Sequence, residues 1–306
     1  MRSRILQQSL VAFAFLCNAA VAQQSGDLDQ KALELVNQSR QQQGLAPLTA
    51  GADLDEAARA HAEDMLERDY YAHSSPEGNT VRDRYLAAGG SEWELVAENI
   101  ARCQGCEVPV DVARVEAFHE GWMNSPGHRR NILAEGLARF GFAIAGGGQT
   151  VYAVQTFAGP GTSRGGKQGG PIDSEAAARL ALDLINDARR EAGSAPLEAH
   201  PDLQDAAASL VPEDLQGFAL DQTGIPQDAL TRDAWQDWRR IASVAGSCGG
   251  CGAEPTAGDV RSFVSDWLDG GYRQQVIDPD LTHAGMVLRA DGQGRKIALL
   301  LLAERS

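Results

Sequence analysis

Three side chains in the first half of the sequence, His73, Glu98 and His128, have the chemistry needed to bind a divalent cation. Two imidazoles and one carboxylate form a three-ligand site with one position open for water, which is the arrangement of zinc hydrolases. Each residue also has a structural interpretation, because either histidine could be a hydrogen-bonded loop residue and Glu98 could accept backbone hydrogen bonds. The residue types alone leave both interpretations open.

Four cysteines form two C-x-x-C motifs, Cys103 with Cys106 and Cys248 with Cys251. In an exported protein an even number of cysteines favours disulfides, and each motif can close on itself. A redox pair is one alternative, and a zinc site built from the four thiolates of both motifs is another. We predict one structural disulfide in each motif.

The motif occurs twice because the sequence contains an internal repeat. The segment from Asn37 to Arg40 recurs 149 positions later, and Trp122 recurs 145 positions later as Trp267. A glycine-rich stretch with the composition of a flexible linker separates the two copies. The pattern predicts a first domain at 23–160, a linker at 161–172 and a second domain at 173–306.

The second copy lacks all three candidate ligands. Ser243 stands at the position of Glu98. Tyr272 stands at the position of His128. The stretch that should carry the counterpart of His73 is four residues shorter and contains no histidine. Residues shared by both copies maintain the fold, so by subtraction these three are the best functional candidates in the first domain.

Hydrophobic periodicity predicts the elements that position these residues. Apolar residues at helical spacing predict helices over about 28–44, 54–65, 80–88 and 110–122. Alternation from Phe140 to Ile144, a glycine turn and a β-forming run up to Phe157 predict a hairpin. His61 and His119 fall on the apolar faces of two helices, so we predict that both are core or boundary residues.

Three motifs, in this order, resemble the bacterial branch of the CAP superfamily. They are YAHSSPEG at Tyr71–Gly78, AENIA at Ala97–Ala101 and GWMNSPGHRRNIL at Gly121–Leu133. The superfamily comprises sperm-coating proteins, cysteine-rich secretory proteins, insect antigen 5 and plant pathogenesis-related proteins. The resemblance covers about residues 30–158, and the repeat extends a weaker resemblance to the second half. It implies an α+β fold of two tandem α-β-α sandwiches, each with a small antiparallel sheet flanked by helices.

The resemblance also implies a cavity in the first domain. In the family, residues at the positions of His73, Glu98 and His128 line a central cavity that binds divalent cations in some members. A second glutamate, three residues beyond the tryptophan that matches Trp122, is replaced here by Ser125. The ligand set is therefore incomplete, and the expected cation is zinc, with magnesium or calcium as alternatives. We predict structural roles for Trp122, Trp267, Asn99 and Arg129.

The ends and the overall charge of the chain limit its location and partners. Basic Met1–Arg4, apolar Leu10–Cys17 and small Ala20–Ala22 predict a signal peptide at 1–22 and a secreted or periplasmic protein. No later segment reaches about 18 uninterrupted apolar residues, so no transmembrane segment is predicted. The chain has 42 acidic and 27 basic residues and a net charge of −15, which argues against nucleic acid as a partner.

Three functions follow from these observations. The main prediction is a binding module whose first-domain cleft takes a divalent cation and a small-molecule, lipid, peptide or envelope ligand. One alternative is a metal-dependent hydrolase in which Glu98, if it is not a ligand, acts as general base. The other is a structural protein without a working cavity. We favour a protein that is not an enzyme, and the two domains could pack on each other.

Overall fold

The computed structural model describes residues 26–165, 169–220, 229–230 and 232–306. The predicted signal peptide lies outside the described residues. The chain divides into two compact units. The first contains the residues up to Glu92 together with Val96–Ala158, and the second contains Trp93–Leu95 and Gly159–Ser306. The described part of the glycine-rich stretch therefore belongs to the second unit, where Gly161 bridges to Cys251.

The first unit alternates helices with short strands. Its described residues form α1 (26–42), β1 (Thr49–Ala50), α2 (Ala52–Arg68), α3 (Val81–Ala87), β2 (Leu95–Gln104), α4 (Val112–Asn124), α5 (Pro126–Ile132), β3 (Arg139–Gly147) and β4 (Thr150–Gly159). Strands β3 and β4 form the predicted antiparallel hairpin, from Arg139 opposite Ala158 to Gly147 opposite Thr150. The sheet order is β1-β3-β4-β2.

Helices cover both faces of this sheet because successive strand residues point to opposite sides. On one face, α1 and α4 bury Val36, Val115 and Trp122 against Phe140 and Phe157. On the other face, α2 packs its alanine-rich stripe on the strands. A Cβ at Gly141 would lie 2.2 Å from the backbone of α2, so only glycine permits this close approach.

The second unit repeats this arrangement. Its described residues form α6 (Ser174–Glu191), β5 (Glu198–Ala199), α7 (Pro201–Leu210), α8 (Arg232–Gln236), β6 (Trp238–Cys248), α9 (Ala257–Asp269), α10 (Arg273–Val276), β7 (His283–Ala290) and β8 (Lys296–Arg305). The sheet order is β5-β7-β8-β6, which matches the first unit strand for strand. Trp267 is buried in α9 as Trp122 is in α4.

The predicted fold class is confirmed, with one refinement. Each unit is an α-β-α sandwich around a four-stranded sheet. The two-residue edge strand pairs in parallel with its neighbour in both units, whereas the pairs β3–β4, β6–β8 and β7–β8 are antiparallel. Among the described residues, no helix is long and apolar enough to cross a membrane.

Candidate functional site

The carboxylate of Glu98 is at the centre of the first-domain site. It projects from β2, and only 2% of its side chain is exposed. Its Oε1 accepts a hydrogen bond of 2.8 Å from Nδ1 of His73, and its Oε2 accepts one of 2.7 Å from Nη2 of Arg84. Charge-assisted hydrogen bonds of this kind offset the cost of burying a carboxylate. Both oxygens of Glu98 are therefore already engaged.

Arg84 connects the loop that carries His73 to strand β2 through hydrogen bonds. It lies on α3, a helix that begins with a capping box between Thr80 and Asp83. Besides Glu98, its guanidinium donates to the carbonyl oxygens of His73 and Asn79, each at 2.9 Å. The side chain is 11% exposed. Arg84 could not be identified from the repeat, because its counterpart would fall in the stretch where the second copy is shorter.

His61 forms the inner wall of the site. It is fully buried on α2, and its Nε2 lies 3.0 Å from the carbonyl oxygen of Ala72 and 3.8 Å from Oε1 of Glu98. Burial lowers the pKa of His61, and this effect outweighs the nearby Glu98 carboxylate, which raises it. The predicted core position is thus observed, and it also places a neutral imidazole beside Glu98.

The other two imidazoles of the site, those of His73 and His128, are accessible to solvent. The side chain of His73 is 57% exposed, whereas His128 is half-buried on α5. Burial lowers the pKa of His128, and the proximity of His73 lowers it further. Of the two histidines, His73 is the one that contacts Glu98 directly.

A buried amide network positions the helix that carries His128. Nδ2 of Asn99 donates to the carbonyl oxygen of His128 at 3.2 Å and to Oε1 of Gln155 at 3.0 Å. Asn131 donates to the side chain of Asn99 at 3.0 Å and to the carbonyl oxygen of Glu98 at 2.9 Å. Gln155, which sequence analysis did not single out, completes this network from β4.

The other residues singled out from the sequence lie around the site and do not contact Glu98 through their side chains. Trp122 is buried, and its indole N–H donates to the carbonyl oxygen of Ile100 at 3.0 Å. Ser125 is the residue between α4 and α5. The Arg129 side chain is exposed. Its backbone N–H donates to the carbonyl oxygen of Ser125 at 2.9 Å and stabilises the first turn of α5. His119 lies elsewhere in the core.

The three-ligand metal site of His73, Glu98 and His128 stays a prediction. No three His, Cys, Asp or Glu side chains among the described residues are arranged so that they could hold a metal ion. Glu98 is hydrogen-bonded through both oxygens, one of them to a guanidinium that would repel a cation. The donors that fit a cation are Nε2 of His73 and the imidazole of His128. Glu98 then fits the carboxylate that commonly orients a metal-binding histidine.

Each cysteine motif closes within its own unit. The Cα atoms of Cys103 and Cys106 are 5.9 Å apart, and those of Cys248 and Cys251 are 6.1 Å apart. Both pairs are disulfide-bonded, as predicted.

Comparison with known proteins gives one family match and several similar chains. A family model described as the cysteine-rich secretory protein family, CAP, matches residues 33–157. The chain is 36% identical over 113 residues to the uncharacterized protein YkwD of Bacillus subtilis (strain 168), over 37% of this chain and 40% of that protein. It is 32% identical over 116 residues to the uncharacterized membrane protein YlbC of the same strain, over 38% of this chain and 31% of that protein.

The chain thus spans less than half the length of these curated relatives. Among solved structures, it is similar to an extracellular protein containing a SCP domain from Bacillus anthracis str. Ames. That match has 27% identity and a TM-score of 0.36, and it covers 44% of this chain and 40% of that chain. The candidate site lies within the residues that the family model matches.

Proposed function

We propose that the first domain, which at residues 33–157 belongs to the bacterial branch of the CAP superfamily, is a binding module for a divalent cation. The imidazoles of His73 and His128 would hold the cation. A small-molecule, lipid or peptide ligand from outside would supply further donor atoms. When bound, the cation would supply a positive charge that attracts the ligand's oxygen atoms.

One observation carries this proposal. The Nδ1–H of His73 donates to Oε1 of buried Glu98 at 2.8 Å, which leaves the lone pair of Nε2 free. A carboxylate behind a histidine fixes its tautomer and raises its basicity as a ligand. The side chain of His73 is largely exposed, so Nε2 can meet a cation from solvent.

The donor types favour zinc over magnesium and calcium. Imidazole nitrogen suits zinc, whereas magnesium and calcium prefer carboxylate, carbonyl and water oxygens. The carboxylate of Glu98 is engaged with His73 and Arg84. A site with two protein ligands keeps open positions, so we expect exchangeable rather than structural zinc.

A hydrolase is less compatible with this geometry. The general base in that hypothesis is Glu98, which would need a free oxygen facing an attacking water. One oxygen accepts from His73 and the other from Arg84, and the side chain is almost fully buried. We therefore propose binding rather than catalysis.

The proposed location is outside the cytoplasm. Both C-x-x-C motifs form disulfides, and such bonds persist in oxidising compartments. The predicted signal peptide at 1–22 supports the same location. Exported protein should therefore begin near residue 23, which N-terminal sequencing would check.

The proposed function is tested by measuring how the protein purified from the periplasm binds zinc, magnesium and calcium. Equilibrium dialysis should find one saturable zinc ion per chain and neither magnesium nor calcium at the same concentration. His128→Tyr should abolish zinc binding and leave the unfolding transition unchanged, because the second domain carries Tyr272 at this position. Zinc retention by His128→Tyr, or equal binding of calcium, would contradict the proposal.

The second domain provides the matched control. Tyr272→His adds an imidazole at the corresponding position, where Ser243 replaces Glu98. A single protein ligand cannot hold the cation, so the stoichiometry should stay at one zinc per chain.

A further inference from the structure

The second unit contains a cavity that the proposed function does not use. Its volume is about 540 Å³, within the range of pockets that bind drug-sized ligands. It lies between α6 and α7, over strands β7 and β8. Apolar side chains form most of its wall, among them Ala178, Leu182, Ala284, Met286 and Leu300.

Two residue differences between the repeats explain why this cavity is present in the second unit. The repeat places Ala284 and Met286 of β7 where β3 has Phe140 and Phe142. Both phenylalanines are fully buried in the first unit. Replacing two large side chains by smaller ones opens space wherever the surrounding elements do not collapse into it.

A hydrogen bond repeated in both units supports this alignment. In the first unit, Oδ1 of Asp55 accepts a hydrogen bond of 3.0 Å from the backbone N–H of Phe142. In the second, Oε1 of Gln204 accepts one of 3.0 Å from the backbone N–H of Met286. Helix α7 therefore keeps the same position relative to β7 as α2 has relative to β3, although the β7 side chains that face α6 are smaller.

The interior of the cavity has few free polar groups. Gln204 lines it, but its Nε2 also donates to the carbonyl oxygen of Met286 at 2.8 Å, so both ends of this amide are satisfied. Two helix positions of the second unit also carry apolar residues where the first unit has charged ones. Ala178 and Ala208 stand where the first unit has Asp29 and Arg59. The bound part of a ligand should therefore be hydrocarbon.

Charged groups are confined to the rim. Arg179 pairs with Glu175 one helical turn away, so each neutralises the other. Nδ1 of His200 accepts a hydrogen bond from the backbone N–H of Asp202 at 3.3 Å and lies 4.0 Å from the Asp202 carboxylate, so His200 has its own acidic partner. Asp205 is exposed and forms no ion pair with another described residue. The unbalanced charge at the rim is thus a carboxylate.

We propose that this cavity binds a cationic amphiphile, with its apolar body between α6 and α7 and its ammonium group beside Asp205. The apolar wall supplies affinity through buried area, and the carboxylate selects the charge of the head group. The net charge of −15 also favours the approach of cations over anions. This inference is independent of the cation site in the first domain.

Three probes with the same ten-carbon chain test the proposal on the full-length protein. They are decyltrimethylammonium, decanol and decanoate, each used below the concentration at which it forms micelles. Calorimetry should show one saturable site for decyltrimethylammonium, with at least tenfold weaker binding of decanoate. No saturable binding of decyltrimethylammonium, or tighter binding of decanoate, would overturn the assignment.

Two variants locate the site. Ala284→Phe restores a side chain that the first unit accommodates at this position, and it should weaken decyltrimethylammonium binding at least tenfold. Asp205→Asn should weaken decyltrimethylammonium several-fold and leave decanol unchanged, which keeps the proposal testable if Ala284→Phe does not fold. Asp183→Asn, which removes an exposed carboxylate of α6 that does not line the cavity, is the matched control. Equal losses in Asp183→Asn and Asp205→Asn would refute the role of Asp205.

Discussion

Arg40 in the first domain and Arg189 in the second perform the same task. Arg40 is buried and donates to the carbonyl oxygens of Ala46, Ile132 and Ala134 at 2.8–2.9 Å. Arg189 makes the equivalent contacts with Ala195, Val276 and Asp278, and it also donates to the carbonyl oxygen of Leu281. In both domains one guanidinium satisfies backbone groups that would otherwise be buried without partners. These shared contacts maintain the sandwich.

The two domains differ in the layer beside the candidate site. Asn99 and Gln155 of the first domain correspond to Val244 and Leu300 of the second, which pair across β6 and β8. A backbone clamp is nevertheless retained, because Gln275 donates to the carbonyl oxygen of Ser243 at 3.0 Å. It corresponds to the contact that Asn131 makes with the carbonyl oxygen of Glu98. The clamp therefore belongs to the fold, and the amide network belongs to the site.

The largest effect should come from removing the shared arginines. Arg40→Met and Arg189→Met leave three and four buried or partly buried hydrogen bonds to carbonyl groups unmade, so each should destabilise its own domain by about 3–5 kcal/mol. Hydrogen exchange measured by mass spectrometry should show the loss of protection confined to the domain that carries the substitution.

Arg59 provides the control for this prediction. It is an exposed residue of α2 whose ion pair with Glu56 is also exposed, so Arg59→Met should change stability by less than about 1 kcal/mol. A loss of less than about 1 kcal/mol in Arg189→Met would mean that the second domain does not depend on the shared arginine.

A smaller effect should follow from giving the first domain the apolar layer of the second. Asn99→Val leaves Oε1 of Gln155 and one donor of Asn131 unpaired, so it should cost about 1–3 kcal/mol. The double variant Asn99→Val/Gln155→Leu removes the unpaired Gln155 as well and should recover part of this loss. Urea unfolding of the single and double variants measures the coupling. Strictly additive effects would show that the two amides do not act as a unit.

The disulfides should contribute equally to the two domains. Each closes a ring between residues three apart, for which chain entropy predicts about 2 kcal/mol or less. Cys103→Ser/Cys106→Ser and the matching double variant at Cys248 and Cys251 should therefore both fold and lose similar stability in thermal unfolding. Complete unfolding of one double variant alone would show that the motif has different roles in the two domains.

The fold could be predicted from the sequence because it depends on patterns that the repeat displays twice. The apolar stripes of the helices, the hairpin from Phe140 to Phe157 and the disulfide pairs are all local in sequence. The parallel pairing of the edge strand could not be predicted, because two residues carry no periodicity. The site residues were found from three motifs and from their loss in the second copy.

The role of Glu98 could not be predicted, because it depends on long-range contacts. The sequence shows a carboxylate among candidate ligands, but it cannot show that both oxygens accept hydrogen bonds from His73 and Arg84. Arg84 and Gln155 have no motif of their own. The cavity of the second unit was missed because Ala284 and Met286 are ordinary sheet residues until the repeat is compared position by position.

The smallest effect concerns Asp29, whose counterpart in the second domain is Ala178. Burial, helped by the nearby carboxylate of Asp55, raises the pKa of Asp29 to about 6 from 3.8. The folded state therefore binds more protons than the unfolded state between about pH 4 and pH 6, so stability falls as the pH rises through this window. A shift of this size corresponds to about 3 kcal/mol at most, which partial exposure reduces to about 1 kcal/mol.

Asp29→Asn removes this titration while keeping the size of the side chain. The variant should be more stable than the parent by about 1 kcal/mol above pH 6, and the difference should disappear below about pH 4, where both states of the parent hold the proton. Urea unfolding from pH 4 to pH 8 measures the two curves. Ala178→Asp in the second domain should create the same pH dependence there, because the exchange places a carboxyl group against the apolar wall of the cavity. Parallel curves for Asp29→Asn and its parent would show that the Asp29 carboxylate is solvated in the folded protein.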